Sequence, residues 1–397
     1  MKKEFLNLGR QPLSNKFLNK KQFDTEFFYD LKVVFDEDTK LVSMKNFVKP
    51  EQVFDADYPY WTSKSVPMIE HFKNTAEMLQ NDFKLDKILE IGSNDGTFIK
   101  NFNRDDSICV EPCGNFAKYT NEKLKYKTYS EYWTLDLSEK IKNKHGKVDL
   151  IYSANCISHI NDLETVFKGA KNILSDRGVF VFEDPSCLNV LKRNSYDQIY
   201  DEHPHLFSVT SLNNILKNYG LMLLRVDNLE VHGGSNRIFV THMNKSPELK
   251  IDKSVEDNLR RENEFGLNEF KTYEMFAERI KKSKDDLLKL LKQAKDSNKK
   301  VICIGATCKS SVIFNYCGVD SSLIEYITDT TPDKQNLLHP GTHIPVVDRN
   351  SIDINDYDYI FLGAWNFKDY IIKNEKDFRG EYITHVPKVH YVENTTE

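Results

Sequence analysis

The sequence predicts an α/β chain with two Rossmann-like units and a small N-terminal domain ahead of them. Three observations point that way. From Lys84 to about Thr241 short β-rich runs alternate with helical stretches, the pattern of a mostly parallel sheet covered on both faces. A second strand, glycine turn and helix follow at KKVICIGATCKSSVIFNYCG. The 397 residues are also more than one ordinary core organises, so two or three domains are expected.

Residues 1–75 carry short apolar runs, several aromatics and no clear period, and predict a small irregular domain followed by a helix from about Ser65 to Gln80. Within 76–245, KILEIG, SICVEP, VDLIYSAN, GVFVFEDP, MLLRVDNLEV and NRIFVTHM read as strands, with helices such as 163–174 and 209–218 between several of them. Residues 246–300 form a helical connection: the run ERIKKSKDDLLKLLKQAK places apolar residues at helical spacing on a charged background. Residues 301–397 make the second Rossmann-like unit, with further strands at LIEYITD, HIPVVD and YDYIFLGAW.

Composition narrows the function. Lys+Arg total 55 against 60 Asp+Glu, a net charge of −5 that argues against a dedicated nucleic-acid binder. No run approaches the roughly 18 apolar residues of a membrane span, and no signal peptide is readable behind MKKEFLNLGR. The seven cysteines are scattered without a C-x-x-C pair. That argues against a zinc ribbon or a disulfide framework and predicts a reducing, cytoplasmic setting.

The loop Glu90-Ile91-Gly92-Ser93-Asn94-Asp95-Gly96 lies where a strand passes into a helix. A dinucleotide fingerprint needs G-x-G-x-x-G, whereas this spacing is G-x-x-x-G, with Glu90 two positions before the first glycine. The acidic group suits a cationic ligand that bears an amino group and a sulfonium. About 20 residues on, Glu111, followed by Pro112, ends the next strand, where a carboxylate can accept both ribose hydroxyls. The combination predicts S-adenosylmethionine as cofactor and a class I methyltransferase fold. Glu90, Gly92, Ser93, Asn94, Gly96, Glu111, Pro112 and Asn155 are the candidate cofactor residues. A glycine turn kept for backbone geometry alone is the competing reading.

Titratable groups collect just past two predicted strand ends, Asn155 to Asp162 with His159 and Tyr200-Asp201-Glu202-His203 with His205. A third segment, His232-Gly233-Gly234-Ser235-Asn236-Arg237, lies at a turn into the last strand of the block. Histidine, with an ordinary pKa of about 6.5, suits proton transfer near neutrality. Glu202 is placed to orient such a base, and a tyrosine hydroxyl can donate to a developing oxyanion. Any single histidine here is more simply a capping or core-edge residue, and His205 is read as structural.

These motifs together resemble the sugar C-methyltransferases that act on nucleotide-linked ketosugars. The resemblance runs through LNLGRQPLSNKFL, DYPYWTSKSVPMIEHF, EIGSNDGTFIKNF, VEPCGNFAKYT, SANCISHINDLETVF, IYDEHPHLFS, VHGGSNRIFV, GATCKSSVIFNYCG, HPGTHIPVVD and AWNFKDYI, in that order. It implies methyl transfer from S-adenosylmethionine to a carbon beside a ketone on a deoxysugar. His203 is then the base, Tyr200 and His159 steady the enolate, Glu202 supports them, and Tyr60, rather than Tyr58, closes over the site. The resemblance also implies substrate contacts from Tyr58, His232, Gly233, Ser235, Arg237 and Lys309. The C-terminal unit would hold the nucleotide, with the Gly305-Ala306-Thr307 turn as a phosphate site or as packing alone. The expected partner is a nucleotide-linked sugar, with no nucleic acid and no membrane, and the expected state a monomer or weak dimer. An O- or N-methyltransferase on a related sugar or small metabolite, and a non-catalytic scaffold of the same fold, are the alternatives.

The chain departs from the family pattern in three places. The family's N-terminal block carries four zinc-binding cysteines, whereas the first cysteine here is Cys109. No metal is therefore expected, and Phe27, Phe28, Tyr29, Val33 and Phe35 are expected to pack in its place. Asp201 stands where the family has histidine, and Cys156 where it usually has asparagine.

Overall fold

The computed structural model of the protein describes residues 1–54 and 58–392. Asp57 of the DYPYWTSKS motif and residues 393–397 of the second unit lie outside the described residues. The N-terminal block is more regular than its sequence suggests. Strands β1 (Lys2–Pro12), β2 (Phe28–Asp36) and β3 (Val42–Met44) pair antiparallel in order. Two register shifts in β1, at Glu4/Leu6 and Asn7/Arg10, break the alternation that would have marked it as a strand. Val33 and Phe35 are buried in its core, but Phe27 is 40% exposed and contributes little packing. A short helix α1 (Pro50–Val53) and the long α2 (Val66–Asp82) follow.

The central unit runs through β4 (Ile88–Ile91), β5 (Ser107–Val110), α3 (Gly114–Lys118), β6 (Lys127–Tyr129), α4 (Leu135–His145), β7 (Val148–Ala154), α5 (Leu163–Ile173), β8 (Leu174–Pro185) and α6 (Cys187–Arg193). Next comes β9 (His205–Leu206), which leaves the unit and pairs with β3 as the fourth strand of the N-terminal sheet. Helix α7 (Val209–Lys217) and strands β10 (Leu221–Leu229) and β11 (Ser235–His242) complete it. The seven strands lie in the order β10-β11-β8-β7-β4-β5-β6, parallel except for β11, which runs antiparallel to both neighbours. The order reverses between β4 and β7, and ligands of such sheets bind beyond the strand carboxyl ends at that switch.

Helices α8 (Lys253–Phe265) and α9 (Phe270–Asp296) lead into a six-stranded sheet of β12 (Val301–Ile304), β13 (Ile327–Asp329), β14 (Val346–Asp348), β15 (Tyr359–Leu362), β16 (Glu381–Thr384) and β17 (His390–Val392). Helix α10 (Cys308–Cys317) follows β12, and α11 (Lys368–Asn374) follows β15. The strand order is β14-β13-β12-β15-β16-β17, parallel except for β17. One continuous apolar core joins Leu6, Leu31 and Phe35 to Leu191 and Tyr200, to Tyr273 and Phe276 of α9, and to Val312 and Phe361. The segment that carries Tyr200 is thus clamped between the first and third sheets.

Candidate active site

The loop after β4 is shaped by its glycines. Gly92 has φ +69°, and a Cβ there would lie 2.6 Å from Cys156 Sγ, so the chain passes too close to the β7 loop for any side chain. Glu111, at the end of β5, is buried, and its two oxygens accept the Asn94 N–H at 2.7 Å and the Cys113 N–H at 2.8 Å. Each oxygen keeps a lone pair for a ligand hydroxyl. Ser93 Oγ is buried without a partner beside it. A cradle too narrow for a Cβ, an unpartnered hydroxyl and a buried carboxylate at the strand end together fit a nucleoside.

Glu90 behaves otherwise than the sequence suggested. It is buried and accepts the Ile99 N–H at 3.1 Å, and burial holds its carboxyl well above the usual range. One of its oxygens thus anchors the turn that follows the loop. Asn94 lies at φ +47° and spends its side chain on the segment 58–64. Asn155, also left-handed at φ +48°, donates its N–H to Glu183 O at 2.7 Å. Pro112 follows Glu111 directly and is half-buried.

The second cluster forms where Tyr200–His203 meets the β7 loop. Tyr200 and His203 stack at 4.4 Å, and the Tyr200 hydroxyl is 3.0 Å from His203 Nε2. His159 packs 4.8 Å from His203 and stacks on Phe54, and its Nε2 is buried without a partner. Burial lowers His203 well below the usual histidine range, with His159, Lys309 and His232 adding to the effect, while the Gln198 backbone opposes it. Burial alone takes His159 down to about 3. Both rings are therefore neutral at pH 7.

Glu202 is buried, accepts the Tyr58 hydroxyl at 2.9 Å and lies 3.9 Å from Cys308 Sγ. Burial, then Asp201, pushes it up to about 8. Asp201 has other partners: its Oδ1 accepts the Ser14 N–H at 3.1 Å and the Tyr29 hydroxyl at 3.4 Å, and burial raises it to about 6. A cavity of about 180 Å³ opens beside this pair, lined by Asn15, Phe17, Tyr58, Glu202 and Lys334 among others. Tyr58, not Tyr60, reaches Glu202. The Tyr60 side chain is 45% exposed, and it is its backbone carbonyl that is held, by Asn94.

The substrate candidates separate in the same way. His232 sits at φ +54° with Nε2 buried and unpartnered, and burial, then Lys309, lowers it to about 4. Lys309, second residue of α10, lies near enough for its charge to act on both His203 and His232. Gly233 leaves room for Trp365, whose ring would meet a Cβ there at 2.4 Å. Ser235 Oγ is tied to Val231 O at 3.2 Å. Arg237 is committed elsewhere: it is buried, with Nε 2.7 Å from Glu183 Oε1 and another guanidinium nitrogen 2.6 Å from Thr75 Oγ1. Glu183 also takes His71 Nε2 at 2.7 Å and the Tyr152 hydroxyl at 3.0 Å, so Arg237 braces the sheet.

The Gly305 turn is likewise occupied. Ala306 N–H goes to Asp329 at 2.9 Å and Thr307 N–H to Ser310 at 3.0 Å, while a Cβ on Gly305 would strike Ala364 at 2.8 Å. Packing is the role these contacts support. Sequence reasoning missed Asp184, whose Oδ1 takes the Ser158 hydroxyl at 2.5 Å while Oδ2 is buried unpartnered; burial raises it to about 7. Its place at a strand end, the signal that picked out Glu111, marks it equally well. Among the described residues no three His, Cys, Asp or Glu side chains group as a metal set, and no helix is long and apolar enough to cross a membrane.

The strand order and the nucleoside-shaped loop define an S-adenosylmethionine-dependent methyltransferase. Three family models tile the chain in order: "Putative zinc binding domain" over 1–54, "Methyltransferase domain" over 68–226 and "C-methyltransferase C-terminal domain" over 230–387. C-methyltransferase NovU of Streptomyces niveus is 29% identical over 394 residues, covering 97% of this chain and 93% of that protein. The chain is similar to C-methyltransferases along nearly its whole length, and its cofactor is S-adenosylmethionine. An S-adenosylmethionine-dependent methyltransferase from Clostridium acetobutylicum ATCC 824 shares 17% identity, with a TM-score of 0.35 over 44% of this chain and 92% of that one. The magnesium protoporphyrin IX methyltransferase ChlM of Synechocystis PCC 6803, solved with bound cofactor, shares 11% over 45% of this chain and 80% of that one, with a TM-score of 0.33.

Proposed function

We propose that this enzyme methylates the carbon α to the keto group of a nucleoside-diphosphate-linked deoxysugar, through an enolate. The observation that carries the reading is the buried, neutral His203 held 3.0 Å from the Tyr200 hydroxyl, with His159 packed against its ring. A C–H beside a ketone is too weak an acid at neutral pH unless the enolate oxygen is stabilised. His203 takes the proton, and Tyr200 donates to the oxygen that gains charge. Glu202, raised toward neutrality, adds a carboxylic-acid donor, a device that works because a buried neutral acid can hydrogen-bond an oxyanion. Glu111, with Gly92 and Ser93, holds the nucleoside of S-adenosylmethionine, which when bound supplies an electrophilic methyl group. Tyr58, Lys309 and His232 border the acceptor, and the C-terminal unit holds its nucleotide through side chains such as Lys309 rather than through the Gly305 turn.

The test is a screen of nucleoside-diphosphate ketosugars with S-adenosylmethionine, read by mass for one added methylene and by NMR for the absence of a methoxy signal. Without cofactor, the accepted sugar should exchange its α-hydrogen with deuterated water, and His203→Ala should abolish that exchange. A methoxy or N-methyl product, or exchange indifferent to His203, would overturn the reading.

A further inference from the structure

One short segment touches both halves of the site. Residues 58–64 are fastened to the cofactor loop by Asn94: its Oδ1 accepts the Thr62 N–H at 3.1 Å and the Thr62 hydroxyl at 3.0 Å, and its Nδ2 donates to Tyr60 O at 2.9 Å. Asp95 adds a bond from the Ser63 N–H at 2.8 Å. The loop after β5 holds the same segment. Asn115 donates to Tyr58 O at 3.1 Å, and Trp61 packs edge-on against Phe116 at 4.8 Å. At its front end, Tyr58 donates to Glu202. The backbone N–H of Asn94 meanwhile lies on Glu111, the residue that would take the ribose.

We propose that Asn94 is a positioning residue: occupation of the cofactor loop fixes the strap 58–64 through its side chain, and the strap in turn sets Tyr58 on Glu202, beside the cavity of about 180 Å³ that both line. Asn94 uses its main chain on one site and its side chain on the segment roofing the other, so a ligand that stiffens the loop lowers the cost of ordering the strap. The effect is reciprocal, since a coupling free energy acts equally on both ligands. The left-handed backbone at Asn94 makes this economical, because asparagine tolerates that conformation better than most residues and carries the polar arm the strap needs. This inference rests on the cofactor and acceptor assignments above.

Amide hydrogen exchange on the full chain, with and without S-adenosylhomocysteine, separates the possibilities. The product should slow exchange at 92–96 and 111–116, and at 58–64 by about tenfold, within the usual range of such couplings. Asn94→Gly keeps the left-handed backbone and the N–H to Glu111 but removes the arm. It should leave protection at 92–96 in place while 58–64 exchanges as in the unliganded protein. Thr62→Val, which removes one of the strap's two donors to Asn94, should show an intermediate loss and guards against misfolding of the first variant. Protection at 92–96 without protection at 58–64 in the natural sequence, or equal strap protection in Asn94→Gly, overturns the inference alone. No protection at either place overturns the cofactor assignment with it.

Discussion

Trp365 donates its indole N–H to Asp197 Oδ2 at 2.6 Å, joining the loop after β15 to the segment that leads into Tyr200. The carboxylate is fully buried, and His385 Nε2 lies 3.2 Å from the same oxygen without forming a hydrogen bond to it. Trp365 also lies against Gly233, so one side chain holds two acceptor-side segments. Trp365→Phe keeps most of the ring volume but removes the donor. Leaving a buried acceptor short of a bond costs about 1–3 kcal/mol, so calorimetry should show a clear fall in Tm. An unchanged Tm would mean that the Trp365 bond contributes nothing, for instance because His385 turns to replace it.

His203→Ala and Glu111→Ala should separate chemistry from binding. Loss of a positioned base costs about a hundred- to ten-thousandfold in kcat, with S-adenosylhomocysteine affinity nearly unchanged by titration calorimetry. Glu111→Ala should weaken that affinity first. The assignment of the base fails if His203→Ala turns over at a near-native rate.

Gly92→Ala would place a Cβ 2.6 Å from Cys156 Sγ at φ +69°. The left-handed conformation alone costs an ordinary residue about 1–2 kcal/mol. Reduced cofactor affinity is expected, and Cys156→Ala in the same chain should recover it only in part, because the Cβ at 156 stays 2.9 Å away. Full recovery would mean that the backbone tolerates alanine there.

Glu202 is raised to about 8, so its acid form prevails below that pH and is lost above it. If the acid form donates to the enolate oxygen, kcat falls as pH rises through about 8. His203, held well below the usual range, stays neutral on that side and places its own loss of activity in the acid limb. Glu202→Gln, which keeps a donor that cannot ionise there, should flatten the alkaline limb in a kcat-against-pH profile.

Residues 1–54 match a zinc-binding family model yet contain neither cysteine nor histidine. Elemental analysis of the purified protein should find far less than one zinc per chain, and a chelator should leave Tm where it was. Stoichiometric zinc lost together with stability would overturn this.

Most parallel strands were legible because each is a short apolar run closed by a turn, whereas β6 and β16, three and four residues long with charged or polar starts, were not. The cofactor loop was legible because its glycines and Glu111 fall at a fixed spacing. Strand β1 was not, since its bulges spoil the alternation of Leu6 and Leu8 with polar neighbours. The orientation of the tyrosine pair was equally hidden. Tyr58 and Tyr60 flank one proline, and only the distant Glu202 and Asn94 decide which hydroxyl turns inward. Arg237 looked available in sequence because its partners, Glu183 and Thr75, come from other parts of the chain.

Two residues beyond His203, the chain becomes β9 and is stitched to β3, while Asp201 holds Ser14. The proposed base therefore stands on a hem shared with the first sheet, and the N-terminal module cannot be treated as a detachable accessory. A chimaera that borrows residues 1–48 from a relative must bring that relative's 200–207 segment along, or the donor sheet will close without its last strand and leave the base without a floor.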